Sequence, residues 1–134
     1  MTRTAKDYPK QSNTSFEEIN QLVLKHLEER DWLGNKPRGL ATSIALEASE
    51  LLEHYQWSDK PVGNAQELAE ELADIFIYAF QFAQENNINI AEAMQKKLAK
   101  AAKKYPAENF KGKTKQERQA AWMQSKLNHK KEGL

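Results

Sequence analysis

The sequence predicts an all-α protein, a four-helix bundle, and three observations predict it. Apolar residues recur at helical spacing in successive segments, capping signals open those segments, and no alternating Val/Ile/Thr-rich stretch competes for a sheet. Composition agrees: hydrophobic residues make up 40%, charged residues 29%, and Gly and Pro number 5 and 4 in 134 residues, little turn chemistry for a β protein. A chain of this length forms one core.

The elements follow in order. Residues 1–13 are polar and without periodicity, and read as a disordered arm. Ser15 and Glu18 form a capping-box pattern, after which Phe16, Ile19, Leu22, Val23 and Leu27 recur as far as Arg30, giving the first helix. Gly34, Pro37 and Gly39 turn the chain before a second helix from about Leu40 to Tyr55. Asn64 and Glu67 open a third, which extends to about Asn86. Asn89 and Glu92 open a fourth, which ends near Tyr105 because Pro106 disfavours helix before it. The domain therefore spans 14–106. The remainder, 107–134, is a basic tail in which Thr114 and Glu117 can start a short extra helix, with Ala121, Trp122, Met123 and Leu127 as its docking residues.

Charge and residue usage exclude several classes. A formal net charge of +1 gives no general field for nucleic acid polymers or acidic membranes, so an anionic ligand must be met by a local cluster, which points to a small molecule. Without Cys there are no disulfides, thiolate sites or Cys nucleophiles. The first residues carry no apolar signal-like segment and no apolar run approaches membrane-spanning length, so cytoplasm is the expected location.

The chemistry lies in the acids. On the second helix Ile44, Ala48, Leu51, Leu52 and Tyr55 share a face, with Glu47 and Glu50 along its border; an i, i+3 pair points two carboxylates the same way. Glu53 continues that border further from the apolar centre, where ligation and a supporting role are equally compatible. The third helix is apolar on nearly every side from Leu72 to Ala83, as in a helix buried all round, yet it contains Asp74 in one stripe with Glu71 and Tyr78 and no Lys or Arg. An ionised carboxylate in such surroundings requires neutralisation from elsewhere. Paired antiparallel, the two helices bring four acids together. Carboxylates ~4 Å apart repel by roughly 4 kcal/mol at an effective dielectric near 20, and a divalent cation resolves the repulsion. Oxygen ligands alone suit a hard ion, Mg²⁺ or Mn²⁺. One Glu-x-x-Glu alone is more often a solvated helix face; the second pair on an apolar helix favours a site.

Glu47-Ala-Ser-Glu50-Leu-Leu-Glu53-His-Tyr-Gln-Trp57 followed by Glu70-Glu71-Leu-Ala-Asp74-Ile-Phe-Ile-Tyr78 resembles the MazG-like all-α nucleoside triphosphate pyrophosphatases, in particular the dCTP pyrophosphatase-like branch. Arg30-Asp-Trp32 with Pro37-Arg38, and Lys97 to Tyr105-Pro106, extend the similarity over roughly Phe16 to Pro106. The resemblance implies hydrolysis of a (deoxy)nucleoside triphosphate between the α and β phosphates, with Mg²⁺ held by Glu47, Glu50, Glu71 and Asp74. It implies that Trp32 and Trp57 stack on or enclose the base, that Tyr78 lines the pocket, and that Arg38 and Lys97 contact phosphate. It implies a homodimer or homotetramer with sites composed by neighbouring subunits. Two positions depart from the family pattern: Ala101 stands where an Asn amide reads base or phosphate, and Ser49 where a Gly separates the acids of the second helix.

Other readings of the same residues compete. Trp32 and Trp57 also suit a core or a subunit interface. Lys97, Lys100 and Lys104 form a stripe of the kind that usually edges a solvated face. His26, His54 and His129 stand at no ligand spacing and read as surface residues or as supports behind the ligands. A di-iron carboxylate bundle needs Glu-x-x-His, which does not occur. A metal-stabilised helical interaction module without catalysis is the alternative to an enzyme.

Overall fold

The structure, a computed structural model, describes residues 15–131; the arm expected over 1–13 lies outside them. All regular structure among the described residues is helical: α1 (Phe16–Glu28), α2 (Pro37–Glu53), α3 (Ala65–Glu85), α4 (Ile90–Lys104), a 3₁₀ turn at Ala107–Asn109, and α5 (Lys115–Lys131). None of these helices is long and apolar enough to cross a membrane. The chain divides into two compact units at Ile90. The boundary expected at Pro106 falls inside the second of them.

In the first unit α2 packs along α3, and α1 packs on α3 over a shorter stretch. The local sequence dictates where each begins. Ser15 accepts the N–H of Glu18 while Glu18 accepts that of Ser15, and Asn64 and Glu67 do the same at the start of α3, so each helix satisfies two of its orphan donors from its own first turn. α2 begins at Pro37, three residues before the expected start, because Pro at the first position loses no hydrogen bond and brings helical φ. After α1, Asp31 takes φ 53° and lets the Trp32 N–H turn back to the Leu27 carbonyl at 2.9 Å; after α3, Asn87 at φ 54° does the same for Ile88 and Ala83 at 2.8 Å.

The core of this unit is small: Leu27, Leu40, Phe80 and Ala83 are buried, together with Gln81, and Phe16 meets Phe80 ring to ring at 4.9 Å. The expectation that α3 is buried all round fails in the single chain. Leu72, Phe76 and Ile77 are exposed, because α1 and α2 cover only part of a helix that is apolar on more faces than they can reach.

The second unit contains α4, the 3₁₀ turn and α5. Neither helix buries a residue. α5 is far from short, at 17 residues as long as α2. Thr114 caps it by accepting the Glu117 N–H at 3.1 Å, and its Lys, Gln, Ala, Glu and Arg content propagates the helix without a buried face.

Candidate metal and active site

The α2–α3 pair brings Glu47, Glu71 and Asp74 together. Each offers a carboxylate oxygen, and the three oxygens lie within 4.8 Å of one another. The i, i+3 spacing on α3 aims Glu71 and Asp74 the same way, and α2 supplies Glu47 from across the pair. Glu50 adjoins this cluster as a neighbouring charge beside Glu47, instead of contributing a fourth oxygen.

The electrostatics are those of a site short of positive charge. Partial desolvation, then the negative charges of Glu50 and Asp74, the hydrogen bond that protonated Glu47 can donate to Glu50, and the charge of Glu71, push the Glu47 carboxyl above its ordinary value near 4.5. α3 has no Lys or Arg, and α2 has only Arg38, exposed in its first turn. His54 reaches the same acids from the end of α2, with its Nε2 3.5 Å from Glu71 Oε1. Crowded carboxylates, one of them held above its usual pKa, form an oxygen donor set that can hold a hard divalent ion.

The stripe containing Glu71, Asp74 and Tyr78 continues to Gln81 and Glu85. Buried Gln81 donates to the Trp32 carbonyl at 3.1 Å, and Glu85 accepts the Gly34 N–H at 2.7 Å. These bonds pin the 29–36 connection to α3 between about 10 and about 16 Å along the axis from Asp74, from the 1.5 Å rise per residue. The Trp32 ring meets His26 edge-on and is 56% exposed. Trp57, in the α2–α3 connection, is 82% exposed, which removes it from the core. Tyr78 is half-buried. Lys97 stands on α4 in the second unit, where it lines a groove with Lys100, Ala101, Lys104, Tyr105 and His129.

Three contributors escape a periodicity reading: His54, Gly63 and Gln81. A buried amide inside an apolar helix is a signal for Gln81, and a Gly immediately before an N-cap Asn is one for Gly63.

A helical pair converging carboxylates at i, i+3 spacing defines a class of all-α proteins with an acidic cluster that can hold a divalent ion. The MazG-like family model matches residues 42–119, more than half of the chain and both acidic motifs. The chain belongs to the MazG-like family. Among solved structures it is similar to a pyrophosphatase from Archaeoglobus fulgidus DSM 4304, at 30% identity and a TM-score of 0.59, over 74% of this chain and 99% of that one. No curated protein matches.

Proposed function

We propose that the protein is a Mg²⁺-dependent nucleoside triphosphate pyrophosphohydrolase that cleaves between the α and β phosphates, yielding a nucleoside monophosphate and pyrophosphate. The observation that carries this reading is the convergence of the Glu47, Glu71 and Asp74 oxygens within 4.8 Å, in a chain of the MazG-like family that is similar to a solved pyrophosphatase.

In this reading Glu47, Glu71 and Asp74 hold the ion, with Glu50 joining them. When bound, Mg²⁺, or Mn²⁺ in its place, supplies the charge that offsets the triphosphate and lowers the pKa of the attacking water. The acids orient that water toward phosphorus, the bridging P–O bond breaks and pyrophosphate leaves. Trp32, held two helical turns from Asp74 by the Gln81 bond, and exposed Trp57 enclose the base, and Tyr78 lines the pocket between. Arg38 and Lys97 meet the phosphates. The substrate is a (d)NTP, dCTP or a modified nucleotide, in keeping with nucleotide-pool sanitation in the cytoplasm. The catalytic domain runs over 14–106. The exposed α3 residues Leu72, Phe76 and Ile77 support a homodimer or homotetramer; light scattering that gives the single-chain mass of 15.4 kDa would defeat that part.

The test is pyrophosphate release from a panel of canonical and modified nucleoside triphosphates with Mg²⁺. Release from one or more of them, abolished by chelator, is the expected result. No release from any, together with Mg²⁺-dependent thermal stabilisation, would instead make the site the anchor of a helical interaction module.

A further inference from the structure

His54 closes α2 and opens the connection to α3. The connection grips it twice. Its carbonyl accepts the Val62 N–H at 2.8 Å, and its ring Nδ1 accepts the Gly63 N–H at 3.1 Å. Accepting at Nδ1 places the proton of a neutral imidazole on Nε2, the nitrogen that faces Glu71 Oε1 at 3.5 Å, the long end of hydrogen-bond distance. With Nδ1 occupied by the Gly63 N–H, the ring presents its Nε2 edge to the Glu71 carboxylate. The side chains of His54 and Glu71 are only 15% and 23% exposed, which limits competition from water for that contact.

Gly63 explains how the ring is seated. Its φ lies outside the left-handed region, so no backbone conformation calls for glycine there. The requirement is room: a Cβ at 63 would run into Cε1 and Nδ1 of the His54 ring and into Glu67 Oε2, and that oxygen is already committed to the Asn64 N–H at 2.8 Å in the capping box. Ring, glycine and helix cap thus form one assembly in which the first turn of α3 fixes the tautomer and tilt of a histidine that reaches one turn further along the same helix.

We infer that His54 is a positioning residue for the metal site, holding the Glu71 carboxylate in the orientation from which it joins Glu47 and Asp74. The inference rests on the reading of those acids as metal ligands. Partners behind metal ligands orient them, and their loss typically costs ~10- to 100-fold in metal affinity.

The test compares His54→Gln with His54→Met in the full chain. The two side chains match in length and flexibility, and only Gln keeps an N–H donor near the position of Nε2. Mn²⁺ affinity is read by electron paramagnetic resonance of the free ion, without nucleotide, beside kcat and KM and the melting temperature in chelator. The expected result is Mn²⁺ binding weakened ~10-fold or more in His54→Met, with much of the loss recovered in His54→Gln. Parental affinity in His54→Met, or equal losses in both variants, would overturn the role. Should His54→Met not fold in chelator, Gly63→Ala, which retains the histidine and displaces its ring, answers the same question: weakened Mn²⁺ supports positioning and parental affinity overturns it. Glu71→Gln serves as the control. If it too binds Mn²⁺ like the parent, the metal site itself is wrong; if it alone is weakened, the site stands and His54 has no part in it.

Discussion

The α2–α3 pair and the second unit carry opposite charge and are built on opposite principles. In the first, acids converge, the helix start is capped by its own side chains, and the connection is tied back through the ring of His54. In the second, Lys96, Lys100, Lys103 and Lys104 line a groove with Asn109 and His129, and no residue of α4 or α5 is buried. Directional hydrogen bonds fix where a carboxylate points; lysines on flexible stems supply charge without fixed direction. A site that must place an ion belongs on the first kind of scaffold, and a surface that only attracts phosphate can stand on the second.

The sharpest way to break that contrast is Glu71→Gln. It preserves shape and helix propensity while removing a charge from the cluster, so turnover falls by on the order of 10²-fold or more, the scale of losing a strong electrostatic contributor. The metal-free variant is no less stable than the metal-free parent, since the new amide oxygen still accepts from His54 and one repulsive charge is gone. A variant that is clearly less stable in chelator, yet turns over at the parental rate, would make Glu71 structural.

Next in size is the response to the ion itself. Because binding to the native state stabilises by mass action, Mg²⁺ at a hundred times its dissociation constant adds about 2.7 kcal/mol, a rise of several degrees in melting temperature. A flat titration to tens of millimolar would remove the metal site. Smaller again is Lys97→Gln. With the charge of α4 distributed over several lysines, KM rises only a few-fold, kcat holds and the melting temperature is unchanged; a collapse in kcat would show that one lysine is directed as the acids are.

Much of the architecture is legible in the sequence because its signals are local. Ser15 with Glu18, Asn64 with Glu67, and Thr114 each bond within their own first turn, so four residues of sequence contain the whole interaction. Glu71 and Asp74 are legible through helical spacing. Their meeting with Glu47 follows from the short connection between helices. What spacing cannot show is a contact made by a loop folding back. His54 and Gly63 are nine residues apart with no periodicity between them, and the bond joining them exists only once α3 has started. Gln81 is hidden for a similar reason, because its partner is a backbone carbonyl at Trp32. Continuous burial of α3 misleads for another reason: apolar residues on every side do not say how many faces the same chain can reach, and Leu72, Phe76 and Ile77 are exposed.

The smallest expected effect concerns Glu47 and pH. Desolvation, then the neighbouring Glu50 and Asp74, raise its folded pKa above the ordinary 4.5. Between those two values the folded protein binds more protons at this position than the unfolded chain, so its stability falls as pH rises through the window. The Glu47 contribution is therefore fully present below 4.5 and is lost by the time pH passes the raised folded value. Glu47→Gln has no such proton to lose. In chelator the parent and the variant should differ least at acidic pH, and as pH climbs toward neutral the variant should become relatively more stable, by less than the Mg²⁺ effect. With Mg²⁺ saturating the parent, the order reverses, because the ion favours the ionised carboxylate that the variant lacks. Melting curves of both proteins, from about pH 4 to 8, with chelator and with Mg²⁺, decide it. A difference that stays constant across that range in chelator would mean that Glu47 feels no field from Glu50, Glu71 and Asp74, and the hairpin would then be no more than a surface that happens to be acidic.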